Sequence, residues 1–170
     1  ALKDYGLQGS DAAHVTDILL AAVRQSGLSF EDFVGSIGPL LPLASALHLP
    51  LSDVAAAMAT IVRGGLEAGQ ASMALRSVMV ALQNLQAPSK GVAEDLDSIG
   101  LSGDAVRQSL GENGLVATLA LLIQKCGGNI EVLDKLIPGV RTLSGVLALA
   151  ANNGSSYAAV ADKVTQSSGL

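Results

Sequence analysis

The chain has 170 residues, of which 49% are apolar and 15% are charged, a composition that can bury a core and argues against disorder. Fifteen acidic and ten basic side chains give a net charge of −5 without any basic cluster, so direct binding of nucleic acid is not expected. Cys126 is the only cysteine, which excludes an internal disulfide and fits synthesis in a reducing cytoplasm.

Apolar residues recur at intervals of three and four along the chain, whereas the alternation typical of strands is absent. Residues 115–123 are apolar nearly all round, which predicts a central helix that is covered on every side. The apolar stripes of the other predicted helices are, in chain order, Val15, Ile18, Leu19, Ala22 and Val23; Leu51, Val54, Ala55, Met58, Ile61 and Val62; Ala71, Leu75, Val78, Met79, Leu82 and Leu85; Val140, Leu143, Leu147 and Ala150; and Tyr157, Val160 and Val164.

Capping residues separate these stripes into short helices. Serines that follow a leucine are placed to accept hydrogen bonds from the first turn of a helix, and glycines just past a stripe are placed to end one. The serines are Ser29, Ser52 and Ser102, and the glycines are Gly27, Gly64, Gly65, Gly100, Gly127 and Gly128. We therefore predict an all-α fold, a single irregular domain of about seven to nine short packed helices over residues 1–170. A regular solenoid is less favoured because the Leu-Ser starts recur at unequal intervals.

Two uncharged runs, residues 33–52 and 142–161, have the length of a membrane span. The first is interrupted by Pro39, Pro42 and Pro50, and the second by an Asn-Asn-Gly turn and two serines. Insertion of this segment into a membrane is therefore not expected. The chain begins without methionine and ends abruptly, from which we expect a fragment of a much longer protein.

The sequence contains no recognisable catalytic, cofactor-binding or metal-binding constellation. His14 and Asp17 have the spacing of a base and its orienting acid, but a polar helix face explains them better. His48 is distant in the chain, and two scattered histidines with one cysteine supply no recognisable zinc ligand set. Cys126, near a helix end, is expected to be a buried, inert thiol. No phosphate-binding glycine loop or nucleophile elbow occurs, so we predict neither enzyme activity nor a cofactor.

The acidic stretch around residue 95 resembles two kinds of site without completing either. Asp95 and Asp97 begin a calcium loop, but Ile99 and Val106 stand where an oxygen ligand and a bidentate glutamate are required. Glu94 and these aspartates could form a carboxylate pair for glycoside hydrolysis. Three acids on a short helix are more typical of a solvated face, which is what we expect here.

Four short motifs follow one another in the middle of the chain. The first two are residues 51–59 (LSDVAAAMA), a serine-initiated alanine-rich helix, and residues 64–76 (GGLEAGQASMALR), in which glycine, a hydrophobe and an Ala-Gly pair precede a Leu-Arg that opens a long helix. The others are residues 85–90 (LQAPSK), a Leu-x-x-Pro-Ser break, and residues 95–101 (DLDSIGL), a step of leucine, glycine and a hydrophobe. Through the order and spacing of these motifs, the segment from Thr16 to about Lys125 resembles the core of phage tail tape-measure proteins.

The resemblance implies a structural virion protein of the phage tail, encoded by a phage or prophage and synthesised in the bacterial host cytoplasm. Tape-measure proteins occupy the tail tube during assembly and set tail length. The resemblance thus implies a homo-oligomer whose partners are tail tube, tail assembly chaperone and baseplate proteins. It implies no catalytic or ligand-binding residue in this segment. A generic helical adaptor or scaffold for protein–protein interaction and a membrane-active helical module are the alternatives.

Overall fold

The computed structural model describes residues 11–168. No strand occurs within that range, and the prediction of an all-helical fold is confirmed. Short 3-10 segments lie at Gly38–Leu40 and Ala151–Gly154. The α-helices are α1 (Ala12–Ser26), α2 (Phe30–Ile37), α3 (Leu41–Ala46), α4 (Leu51–Arg63), α5 (Ala68–Gln86), α6 (Lys90–Ser98), α7 (Gly103–Lys125), α8 (Ile130–Leu136), α9 (Val140–Ala150) and α10 (Ser155–Ser168).

Helix α4 lies at the centre of the fold. Every residue from Val54 to Ile61 is buried, and the helix contacts α1, α2, α3, α5, α7, α9 and α10. Met58 and Ile61 fill the wider gaps between helices, and burying each of these side chains contributes about 1.5–3 kcal/mol. Four small residues of α4 let the backbones of neighbouring helices approach closely. These are Ala55, Ala56, Ala57 and Ala59.

The prediction that residues 115–123 form the central, fully covered helix is wrong. Leu115 and Leu119 are buried, but Ala117 and Ala120 are exposed to solvent. Because Ala117 and Ala120 have small side chains, their exposure leaves little apolar area in contact with water. The second half of α7 therefore lies at the surface with one buried face, and the alanine-rich α4 occupies the centre instead.

Helix α9 packs on α5 through a face that the apolar stripe does not indicate. The stripe includes Leu147, yet this side chain is 51% exposed because α9 turns Gly145 toward α5. A Cβ at Gly145 would lie 3.0 Å from Val78 Cγ2 and 3.3 Å from the Ala74 carbonyl oxygen. The absence of a side chain at position 145 allows this close approach, and the approach leaves Leu147 on the surface.

Two of the three predicted serine caps are confirmed. The Oγ atoms of Ser29 and Ser102 each accept a hydrogen bond of 3.1 Å from the backbone N–H three residues on. Ser52 does not cap α4, because the helix begins one residue earlier at Leu51, after Pro50 in an extended conformation. Of the glycines predicted to end helices, those with a positive φ are Gly27, Gly65, Gly100, Gly127 and Gly128.

Candidate interaction surfaces

The histidines and the cysteine lie apart in the fold. His14 is exposed on α1 with Asp17 half-buried on the same helix, and His48 is exposed in the loop between α3 and α4. Cys126 is buried, as predicted, and burial raises the pKa of its thiol. Within residues 11–168, no three His, Cys, Asp or Glu side chains are grouped closely enough to hold a metal ion.

The acidic stretch around residue 95 lies on α6. Glu94 and Asp97 are exposed and Asp95 is half-buried, so these acids form the expected solvated face. The apolar side of the same helix buries Leu96. The arrangement is that of an amphipathic surface helix.

A polar cluster, missed in the sequence, lies where α7 breaks at Gly114. Gly114 has φ 86° and ψ −176°, a backbone conformation that essentially only glycine adopts. The Oδ2 atom of Asp53, in the first turn of α4, lies 2.9 Å from the position that a Cβ of residue 114 would occupy. Burial raises the pKa of Asp53, and burial together with the charge of Asp53 raises the pKa of Tyr157 on α10. The cluster thus joins α4, α7 and α10 around one partly buried carboxyl group.

Two buried hydroxyl groups connect the halves of α7 across this break. The Thr118 hydroxyl donates to the Gly114 carbonyl oxygen at 2.8 Å, and the Ser109 and Thr118 hydroxyl oxygens are 2.8 Å apart. Because the single hydrogen of Thr118 is used toward Gly114, Ser109 is the donor in the second bond. The Asn113-Gly114 dipeptide is the sequence signal for this break, since Asn-Gly marks a turn.

A groove runs between α5 and the start of α9 and continues toward α6 and α8. It consists of two adjoining clefts of about 300 and 370 Å³, which share Ala81, Asn84 and Pro138. The first cleft is also lined by Arg76 and Thr142. The second continues over an apolar floor and has Lys135 in its wall; its apolar lining includes Leu85, Ala87, Pro88, Val92 and Leu136. We call these two clefts the α5–α9 groove.

The polar groups of this groove have unused hydrogen-bonding capacity. Thr142 is only 6% exposed, yet its hydroxyl has no hydrogen-bond partner among the described residues. Within the described range, neither Arg76 nor Lys135 forms an ion pair. The first turn of α9 receives no side-chain cap, because its N-cap residue is Gly139. The first cleft thus has Arg76 and the Thr142 hydroxyl in its lining, and the adjoining cleft adds Lys135 to a mainly apolar lining.

A separate cleft of about 420 Å³ lies away from the α5–α9 groove, between the end of α7 and the end of α9, and most of its lining is apolar. Its largest apolar side chains are those of Ile123 and Leu147, and Leu147 is 51% exposed. Ala120 and Ala150 also line it. Gln124 is the longest polar side chain in its wall.

The two uncharged runs of the sequence also bear on membrane insertion. No helix in the part of the chain that the structure describes has the length and apolar character to cross a bilayer.

Comparison with known proteins identifies the family. A model of the family described as phage-related minor tail protein matches residues 1–137, which include the motifs between Thr16 and Lys125. The tape measure protein of Pneumococcus phage Dp-1 is 26% identical over 102 residues, which are 60% of this chain and 9% of that protein. The chain therefore spans less than a tenth of the length of this curated relative. No solved structure matches the chain. Because the family match covers most of its length, the chain belongs to the phage-related minor tail protein family and has a structural role in a phage tail.

Proposed function

We propose that this chain is a non-catalytic segment of a tape measure that occupies the tail tube during assembly and sets tail length. The observation that supports this proposal best is the similarity to the tape measure protein of Pneumococcus phage Dp-1, within a family match over residues 1–137. The similarity extends over 102 residues, 60% of this chain, and is therefore not confined to one short motif.

The architecture is compatible with a segment whose short helices can separate from one another. Helices of a few turns follow one another, and most of them end at glycines or are separated by prolines. The central helix α4 contains four buried alanines, so part of its contact with its neighbours depends on close approach of the helix backbones, beside the larger buried side chains of Met58 and Ile61. Such a unit can be compact by itself and can also supply a long contour if its helices separate.

The two states predict different contributions to tail length. A compact domain of 170 residues has a radius of gyration of about 15–16 Å, which corresponds to a width of roughly 40 Å. The same 170 residues as one continuous helix would extend over about 255 Å. A ruler segment contributes one of these lengths or a value between them, and a segment outside the ruler contributes nothing.

The experiment is an in-frame deletion and an in-frame duplication of this segment in a phage that encodes it, with tail lengths measured by electron microscopy. We expect deletion to shorten tails and duplication to lengthen them by the same increment, between roughly 40 Å and 255 Å. Replacement by an unrelated helical segment of equal length is the control for loss of assembly. If deletion and duplication both leave assembled tails at the original length, the segment is an adaptor and not part of the ruler.

The interactions of the segment follow as proposals from the same role. In the tail it is a homo-oligomer and contacts tail tube, tail assembly chaperone and baseplate proteins after synthesis in the host cytoplasm. We assign such contacts to the α5–α9 groove and the cleft beside Leu147. Cross-linking in assembled tails from a cysteine introduced at Leu147, with exposed Arg24 as the matched position on α1, tests whether the cleft beside Leu147 faces a neighbour.

A further inference from the structure

The α5–α9 groove combines features of a carboxylate-binding site with an apolar extension. We propose that it binds an extended segment of a partner protein in which acidic and apolar residues alternate, with a Glu or Asp carboxylate held near Arg76 and Thr142. This inference does not depend on the ruler role, because it rests on the groups that line the groove.

The charged side chains of the groove favour an acidic ligand. Arg76 lines the cleft and forms no ion pair within residues 11–168, so its guanidinium is available for a bidentate contact with a carboxylate. Lys135 provides a second cation in the adjoining cleft. At the start of α9, Asp134 Oδ1 accepts a hydrogen bond from the Gly139 N–H at 3.3 Å. The groove therefore presents two unpaired cations in a chain whose net charge is −5.

The N-terminus of α9, an 11-residue helix that begins beside Pro138, also favours an anion in the groove. Its first-turn N–H groups point out of the helix end and carry the positive end of the helix dipole. Gly139 at the N-cap has no side chain that could accept hydrogen bonds from them. An anion at this end of the groove would supply the missing acceptor.

Thr142 supplies a separate observation. The residue is only 6% exposed and lines the cleft, but its hydroxyl has no partner among the described residues. A buried hydroxyl without a hydrogen bond is unfavourable, and buried polar groups are nearly always paired. A polar ligand atom in the cleft would supply the missing partner.

The shape of the groove favours a polypeptide over a small anion or a nucleic acid. Beyond Pro138 the groove continues for a further 370 Å³ over a mainly apolar floor that includes Ala87, Val92 and Leu136, and an inorganic anion would make no use of this floor. A nucleic acid would need a row of cations, and Lys135 with Arg76 does not form one. An extended peptide presents alternate side chains to one surface, so acidic and apolar residues can be placed in turn.

The test measures binding of a fluorescent six-residue peptide of alternating glutamate and leucine to the 170-residue chain by fluorescence anisotropy. We expect saturable binding that weakens with added salt. Arg76→Gln should weaken it at least about tenfold, and Thr142→Val should weaken it severalfold. Arg24→Gln, which removes one exposed charge from α1, is the matched control and should leave the affinity unchanged.

Thr142→Val also separates a ligand-binding role from a structural one. If the hydroxyl serves only the ligand, the valine variant should melt at a higher temperature than the wild type while it binds the peptide more weakly. A lower melting temperature would show that the Thr142 hydroxyl has a structural partner and is not available to a ligand, which contradicts its proposed role in binding.

Several outcomes overturn the proposal. Equal binding of a peptide with glutamine in place of glutamate would exclude a carboxylate site, and an equal loss with Arg24→Gln would reduce the effect to general electrostatics. Complete competition by inorganic phosphate at concentrations comparable to those of the peptide would indicate a small-anion site. Self-association of the chain that disappears in Arg76→Gln would show that a second copy, and not a separate partner, occupies the groove.

Discussion

Gly114→Ala adds only one methyl group, but it should clearly lower the free energy of unfolding. The alanine would have to adopt φ 86° and ψ −176°, which costs an L-residue about 1–3 kcal/mol. Its Cβ would also lie 2.9 Å from Asp53 Oδ2, so the carboxyl group must move. Alanine lowers the entropy of the unfolded chain, which returns only about 0.4–1 kcal/mol. We expect a net loss of about 1–3 kcal/mol in the free energy of unfolding, measured by urea denaturation.

Gly111→Ala is the matched control, because Gly111 lies in the same helix and a Cβ there would meet no atom within 4 Å. That substitution should stabilise the protein by about 0.5–1 kcal/mol, since alanine is the better helix former. The double variant Asp53→Ala with Gly114→Ala should recover the part of the loss that comes from the steric contact and not the part that comes from φ. Equal effects of Gly111→Ala and Gly114→Ala would refute the reasoning, because they would mean that α7 is not broken at Gly114.

Three further predictions concern the core. Leu119→Ala truncates a side chain with 0% exposure and should cost about 2–5 kcal/mol in urea unfolding, whereas a loss below about 1 kcal/mol would place Leu119 at the surface. Gly145→Ala should cost about 1–3 kcal/mol, because the added methyl group would press on Val78 at 3.0 Å; a variant as stable as the wild type would show that α5 and α9 separate easily. Asp53→Asn should be more stable than the wild type at neutral pH. Burial raises the pKa of Asp53 in the folded state, so its ionised form lowers stability above that pKa, and the difference should vanish as the pH falls below the unfolded value of 3.8. A difference between Asp53→Asn and the wild type that grows on acidification would contradict this sign.

The sequence predicts the helices best where large apolar residues determine the buried face. The stripe of α5 from Ala71 to Leu85 is buried as predicted, whereas Met73 and Val80, which lie outside the stripe, are exposed. In α9 the same rule fails at Leu147, since the close approach of Gly145 to α5 decides the rotation of the helix. Hydrophobic periodicity weighs side chains by their apolarity and gives no weight to a glycine that packs through its backbone.

The candidate surfaces are harder to predict, because their residues are distant in the sequence. Arg76 and Thr142 meet only once α9 has packed on α5, and neither belongs to a spaced motif. Asp53 and Gly114 are brought together in the same way by α4 and α7. The short-range signals that do exist, such as the Asn-Gly turn before the second half of α7, indicate a break but not what fills it.

The glycines of this chain favour the compact state of the isolated protein. Within residues 11–168, eight glycines have a positive φ, a conformation incompatible with one continuous helix. In a continuous helix each of them would cost about 1 kcal/mol relative to alanine, and the leucines of the core would be exposed as well. Extension therefore requires an outside surface, such as the tail tube, to cover those leucines.

Small-angle X-ray scattering of the 170-residue chain tests this argument. We expect a radius of gyration of about 15–16 Å. A rod-like profile for the isolated monomer would contradict it, because the helices would then remain separated without any partner. The compact value, combined with a tail-length increment well above the roughly 40 Å width of the domain, would show that the extension takes place in the tail and is stabilised there.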